Sequence, residues 1–257
     1  IMSQDFQGKN VLVTGGSRGI GFAIASRFAN KGAKVVITAT REETLTQALS
    51  QFSDDEGQTV KGLILDLADL TDASDLFTQT SNLLEGETVD ILVNNAGISA
   101  AASLSEINLT DIHRVFQVNL IAPILLSQAF ASQFVPKQDT FGSIINISSI
   151  ASKFDEDRNL IYGVSKAGLN KATKNLAKSL GKQGIRVNAI LPGSIDTDMT
   201  REKYSDPDVY QALVDRLPLS KRGTGDDIAQ QAVFLASPEA GYITGQLISV
   251  DGGWLLQ

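Results

Sequence analysis

Short apolar runs alternate along the chain with longer stretches of helical spacing. Val11-Leu12-Val13, Val35-Val36-Ile37, Leu63-Ile64-Leu65 and Val89 to Val93 read as buried strands. So do Ser143-Ile144-Ile145-Asn146-Ile147-Ser148, Ile185 to Leu191 and Gln246 to Val250. Between the first two runs, Ile20, Ala23, Ile24 and Phe28 recur three and four apart, which predicts a helix. Further helices are predicted over roughly 41–53, 71–84, 110–134 and 161–181. The 110–134 helix is expected to start after Thr110-Asp111, and its Pro123 should bend it or remove one backbone hydrogen bond. Strands alternating with helices predict an α/β fold, a doubly wound parallel seven-stranded sheet with helices on both faces. No linker or change of composition divides it, so residues 1–257 read as a single domain. The least regular stretch, 194–224, carries Pro207 and Pro218 and reads as a lid over a binding site.

Composition narrows the function classes. The formal net charge of −7 argues against nucleic acid or an anionic membrane as partner. No apolar run approaches the ~20 residues of a transmembrane helix, and no basic-then-apolar leader opens the chain. Ile1 ahead of Met2 reads as an expression remnant. The lack of cysteine excludes disulfides and thiolate zinc sites and suits a cytoplasmic protein. The acidic residues are scattered, so no metal site is expected. His113, the single histidine, lies on a helical stretch with no nucleophile elbow nearby and reads as a surface or packing residue.

Two stretches carry candidate chemistry. Thr14-Gly15-Gly16-Ser17-Arg18-Gly19-Ile20-Gly21 joins the first strand to the first helix. Gly15, Gly19 and Gly21 would let the backbone turn tightly, and the helix start offers free N–H groups to a pyrophosphate. The spacing differs from Gly-x-Gly-x-x-Gly and lacks the lysine of a P-loop, and glycines also serve ordinary turns. After the second strand stand Thr38-Ala39-Thr40-Arg41, with no carboxylate to hold a ribose 2′-OH before Glu42. Arg18 and Arg41 could instead meet a 2′-phosphate, which favours NADP(H); Arg41 could equally begin a solvated helix. In the second stretch, Ser149 ends a strand while Tyr162 and Lys166 stand four apart on one helix face. A lysine that lowers the phenol pKa from about 10 would make it a proton donor and acceptor, with the serine hydroxyl on the same oxygen. Tyr-x-x-x-Lys alone also occurs by chance.

Taken together and in order, Thr14-Gly15-x-x-x-Gly19-x-Gly21, Asn94-Asn95-Ala96-Gly97, Asn119, Ser149, Tyr162-x-x-x-Lys166 and Pro192-Gly193 resemble the short-chain dehydrogenase/reductase family, from Gly8 to Gly253. The resemblance implies a Rossmann-like fold and NADPH/NADP+ as cofactor. It makes Tyr162 the general acid in reduction, Lys166 the group that tunes it and holds the nicotinamide ribose, and Ser149 the carbonyl-polarising hydroxyl. Asn119 would hold a water of the proton relay, with a buried Asn tying up backbone groups as the other reading. Gly15, Ser17, Arg18, Gly19, Ile20, Gly21, Thr40 and Arg41 would hold the phosphates. Asp66 and Leu67 would meet the adenine, and Asn95, Ala96 and Gly97 would line the adenosine side. Pro192, Gly193, Ile195 and Thr197 would contact the nicotinamide, Ile195 through its backbone, unless they are simple turn residues.

Thr38-Ala39-Thr40, Thr197-Asp198-Met199-Thr200, Ala240-Gly241-Tyr242-Ile243-Thr244-Gly245 and Val250-Asp251-Gly252-Gly253 are similar to bacterial 3-oxoacyl-(acyl-carrier-protein) reductases and related carbonyl reductases. That implies a small carbonyl or acyl-thioester substrate, an acyl carrier protein as candidate partner, and a homotetramer built through the two long helices and the last strand. The chain is acidic where an acidic carrier asks for a basic surface, which Lys137, Lys153 or Arg158 would have to supply. The substrate pocket is expected among Ser99, Ala100, Ile150, Ala151, Phe154, Ser194 and residues 198–217. Asp155-Glu156-Asp157-Arg158 is a solvated loop or, facing that pocket, a sign of polar, sugar-like substrates. The alternatives are an NAD(H)-linked secondary-alcohol or sugar dehydrogenase and a dinucleotide-binding regulator without turnover.

Overall fold

Each apolar run divides its side chains between two cores. In the computed structural model, which describes residues 6–52, 59–136, 141–155, 158–201 and 204–256, the chain runs in order. Its elements are β1 (Asn10–Val13), α1 (Gly19–Asn30), β2 (Lys34–Ala39), α2 (Glu42–Leu49), β3 (Thr59–Ile64), α3 (Ser74–Leu83), β4 (Ile91–Asn94) and α4 (Leu109–Phe116). Then follow α5 (Ala122–Gln133), β5 (Gly142–Ile147), α6 (Leu160–Leu180), β6 (Ile185–Pro192), α7 (Asp198–Arg201), α8 (Pro207–Arg216), α9 (Gly225–Ala236) and β7 (Leu247–Val250). The strands form one seven-stranded sheet in the order β3-β2-β1-β4-β5-β6-β7. Every pairing is parallel.

Because side chains alternate across a strand, Val11, Val13, Val35 and Ile37 join Ile24 and Phe28 of α1 and Ile228 and Ala232 of α9 on one face. Leu12, Val36 and Leu92 join Phe77 of α3, Leu126 and Phe130 of α5 and Leu180 of α6 on the other. Covered on both faces, these strands need apolar side chains at nearly every position, which is why they read as runs. The order reverses between β1 and β4, which pair directly although β2 and β3 intervene in sequence. The crevice beyond the carboxyl ends of strands at such a reversal is where ligands bind in this architecture.

Several boundaries differ from expectation for identifiable reasons. β3 begins at Thr59, before the apolar run, because Lys61 and Gly62 interrupt the pattern; Lys61 Nζ reaches the Leu83 carbonyl at 2.6 Å and Gly62 leaves room for Leu45. α2 ends at Leu49, and α3 starts only at Ser74, where the Asp72 carboxylate receives the Ser74 N–H at 2.8 Å. The long helix starts at Leu109, ahead of Thr110-Asp111 rather than after them, capped by Asn108, whose side chain accepts from the Asp111 N–H. It is not continuous: a π-helical turn, Gln117–Ile121, separates α4 from α5, and the Ala122 N–H reaches back to the Gln117 carbonyl. Pro123, at the start of α5, cannot donate and crowds the carbonyl four residues back, and the wider turn accommodates it. The stretch Leu109–Gln133 is long and apolar enough, by length and composition, to cross a bilayer, although no unbroken apolar run fills it. It serves as a core helix instead, with Val118, Ala122, Leu126 and Phe130 packed in the second core. The 194–224 stretch contains α7 and α8; Asp206 caps α8 by accepting the Asp208 N–H, and Pro207 occupies its first turn. Lys137, Glu156, Asp157 and residues 202–203 lie outside the described residues, as do the side chains of Asp198 and Met199.

Candidate active site

The glycine-rich turn is braced from three sides. Thr38 Oγ1 accepts the Gly15 N–H at 3.1 Å, and the Thr38 carbonyl accepts that of Gly16. Asn95 Nδ2 donates to the Thr14 and Gly15 carbonyls at 2.9 and 3.0 Å, while Thr14 Oγ1 receives the N–H groups of Asn95 and Ala96. Gly15 and Gly19 sit at φ of +62° and +55°, which side chains disfavour. Gly21 has no room for a Cβ against Asn95 and the Gly15 carbonyl. Arg18 provides no side-chain cap to α1, so the helix start turns uncapped N–H groups toward the crevice.

The catalytic candidates come from β5 and α6. Ser149 stands just beyond β5, and its Oγ accepts the Ala151 N–H at 3.1 Å. Ser152 Oγ fixes the same turn by donating to the Ser149 carbonyl at 2.5 Å. Gly163 lets α6 approach this turn, since a Cβ there would lie 2.9 Å from the Ala151 carbonyl oxygen. Lys166, 3% exposed, donates from Nζ to the Ile147 carbonyl at 2.8 Å, and that nitrogen lies 5.8 Å from the Tyr162 ring centre.

The electrostatics correct one expectation. Burial pushes the Tyr162 phenol above its ordinary value of 10, with the Ser149 hydrogen bond pulling the other way, so the phenol is not depressed. Burial lowers Lys166 from 10.5 to about 8. The lysine's interaction is spent on a backbone carbonyl rather than on the phenol, and desolvation wins.

A cleft of about 430 Å³ joins these parts. Of the expected residues it is lined by Gly15, Ser17, Arg18, Gly19, Ile20, Gly21, Thr40, Asp66, Leu67, Asn95, Ala96 and Gly97, and by Ser149, Tyr162, Lys166, Pro192, Gly193, Ile195 and Thr197. Arg41 is not in its wall: it is exposed at the start of α2, ahead of Glu42 and Glu43. Asn119 is wholly buried behind the wall, its amide accepting the Ile98 N–H at 2.9 Å and donating to the Ile98 carbonyl at 2.8 Å and to Ser165 Oγ at 3.1 Å. Asp66 Oδ1 accepts the Ala68 N–H, which orients the carboxylate. The Ile195 carbonyl already receives Arg222 and Thr200, both at 2.7 Å, which leaves the N–H as the backbone group for a ligand.

Sequence reasoning missed Arg114 and Val118 in the wall, whereas Thr200 falls within the expected 198–217 segment. The signal for these two was their four-residue spacing, from α4 into the π turn that holds Asn119. Lys153 donates to Ser249 Oγ and Arg158 to the Glu106 carboxylate. Among the described residues no cluster of acidic or histidine side chains could hold a metal ion, and His113 is exposed.

A family model described as enoyl-(acyl carrier protein) reductase matches residues 15–255. The 3-oxoacyl-(acyl-carrier-protein) reductase of Aquifex aeolicus is 36% identical over 252 residues, 98% of this chain and 99% of that protein. The L-xylulose reductase of Caenorhabditis elegans is 36% identical over 252 residues, covering 97% of each chain. A crystal structure of a candidate 2-deoxy-D-gluconate 3-dehydrogenase from Agrobacterium tumefaciens with bound NADP is 38% identical and superposes with a TM-score of 0.86 over 99% of both chains. Likeness that runs unbroken from the glycine-rich turn to the last residues, in sequence and in fold alike, settles the classification: the chain belongs to the short-chain dehydrogenase/reductase family.

Proposed function

We propose that the protein is an NADP(H)-dependent oxidoreductase that reduces a carbonyl, a 3-oxoacyl thioester or a small ketone, to the hydroxyl. The observation that carries the reading is that Ser149, Tyr162 and Lys166 open into the same cleft as the uncapped start of α1. The cleft fits a dinucleotide: Gly15 and Gly19 hold conformations that keep side chains out of it, and Arg18 stands in its wall. No carboxylate follows β2 among Thr38, Ala39 and Thr40, so a 2′-phosphate meets no repulsion there. The NADP of the Agrobacterium structure supports the same choice. Arg18 takes the phosphate role and Arg41 at most a peripheral one.

When bound, NADPH would supply the hydride for the carbonyl carbon. Tyr162 gives its proton to the carbonyl oxygen as charge builds there, and a phenol held above 10 carries that proton throughout the neutral range. Ser149 donates a hydrogen bond to the same oxygen. Lys166, cationic below about pH 8, supports the field around the phenol and holds the ribose. The Asn119 side chain is spent on Ile98 and Ser165. Its part in a proton relay therefore falls to its carbonyl, which lacks an α-helical donor because Pro123 has no N–H.

Substrate choice is less constrained than chemistry. The relatives act by name on an acyl thioester and on a pentulose at the same identity. A sugar or secondary-alcohol dehydrogenase is the second reading, favoured by the Ser99–Asn159 pair at 3.4 Å in the loop before Tyr162. The deciding assay is the initial rate of NADPH oxidation with an acetoacetyl thioester, with L-xylulose and NADH run alongside. Thioester turnover with NADPH supports the first reading; turnover of the sugar alone replaces it with the second; a preference for NADH removes the Arg18 phosphate site. An acyl carrier protein partner gains no support from Lys153 and Arg158, which are engaged within the chain.

A further inference from the structure

Arg222, three residues before α9, has a side chain only 8% exposed. Its Nε donates to Ser194 Oγ at 3.2 Å. Its Nη2 donates to the Ile195 carbonyl at 2.7 Å and to Thr200 Oγ1 at 2.6 Å. Its Nη1 reaches the Asp196 carboxylate at 3.4 Å, and the guanidinium carbon lies 4.5 Å from the Tyr204 ring centre. All these partners lie between residues 194 and 204, the first limb of the lid segment. The one carboxylate among them is long and largely exposed, so ion pairing contributes little. The other donors go to neutral oxygens, where the planar fork fixes direction.

The contacts form a closed figure. Thr200 Oγ1 accepts from Arg222 and donates to the same Ile195 carbonyl, and it also receives the Thr197 N–H at 3.2 Å. Ile195, Thr197 and Thr200 are themselves cleft wall. The neighbouring backbone closes the loop: the Asp196 N–H donates to the Gly223 carbonyl at 2.8 Å and the Gly223 N–H to the Ser194 carbonyl at 3.1 Å. One buried guanidinium therefore stands behind three lining residues while touching the cleft only through them.

We propose that Arg222 is a positioning residue that pre-forms the 194–200 wall of the cofactor cleft, through the geometry of its fork rather than its charge. The proposal rests on the NADP(H) reading, and its test separates the two. Arg222→Gln and Arg222→Lys are compared with wild type by fluorescence titration of NADPH, by melting temperature, and by the rate of tryptic cleavage within 194–204 in the absence of cofactor. Both variants are expected to bind NADPH about tenfold more weakly or worse, because the wall must then be ordered on binding. Both should be cut several-fold faster within 194–204 while melting within a few degrees of wild type. Arg222→Lys behaving as wild type would show that charge suffices and overturn the proposal. So would unchanged cleavage, or a collapse of melting temperature that makes Arg222 a general support of the fold. If wild type itself fails to bind NADPH, the cofactor reading falls, and the cleavage comparison still decides what Arg222 holds.

Discussion

Lys166 is kept where a cation is costly. Its shift from 10.5 to about 8 corresponds to roughly 3 kcal/mol of lost stability at neutral pH relative to an exposed lysine. The folded pKa lies below the unfolded one, so the penalty is full below about pH 8 and fades as pH rises toward 10.5. Such a group is retained for function rather than stability. Lys166→Met should therefore melt at or above the wild-type temperature at pH 7 while losing turnover; a fall of more than ~5 °C in scanning calorimetry would show that the bond to the Ile147 carbonyl outweighs desolvation. The pH profile follows from the same pair. Reductive kcat/KM should hold across neutral pH and fall as pH rises through about 8, where Lys166 loses its proton before the phenol does. A rate that climbs across that interval would contradict the assignment. Tyr162→Phe removes the proton donor while keeping the ring in the cleft wall. It should lower kcat by about 10² to 10⁴ with NADPH binding retained in a fluorescence titration, and unchanged turnover would end the catalytic reading.

At the scale of elements, the telling case is the helix predicted over 110–134. Its apolar spacing is continuous, and one proline does not reveal how a chain will absorb it. The π turn lies where Pro123 withholds a donor and where Asn119 is anchored to Ile98 and Ser165, a tertiary fact that helical periodicity does not carry. Asn119→Leu would leave two half-buried Ile98 backbone groups without their side-chain partner, at about 1 kcal/mol each. Its melting temperature should drop by several degrees, with a low-activity fold surviving; an unchanged melting curve would mean that the bridge is not structural. The same distinction explains what was legible elsewhere. The buried strands β1, β2, β5 and β6 follow from local pattern, whereas the Ser149, Tyr162, Lys166 constellation was legible through the family resemblance, since Tyr-x-x-x-Lys spacing alone occurs by chance. β3 was misplaced because an edge strand tolerates Lys61 and Gly62, and α8 was passed over because its start is announced by Asp206-Pro207 rather than by an apolar stripe. Arg222 was invisible in sequence, since its partners lie 18 to 28 positions upstream.

At the scale of the whole molecule, two surfaces are more apolar than a solitary chain needs. On one, Ile121 and Ile124 beside Leu160 and Val164 of α6 flank the contact where Gly168 meets Leu120. On the other, among the described residues β7 pairs only with β6 and ends the sheet, and Tyr242, ahead of β7, and Phe234 of α9 are exposed. Open strand edges and clustered apolar side chains are commonly closed by a second copy. Two separate self-complementary patches on one chain generate a closed tetramer by successive two-fold pairings. We therefore propose a homotetramer, with the helical face and the strand edge each making one kind of contact. Light scattering on the wild-type protein should return a four-chain mass. Val164→Glu should reduce it to two chains by opening the helical face alone, and Tyr242→Asp should do so by opening the edge alone, with the sheet and the cleft intact in both. A wild-type monomer would remove the proposal outright. A tetramer that survives Val164→Glu would show that the helical face faces solvent, and that the second contact must be sought elsewhere on the molecule.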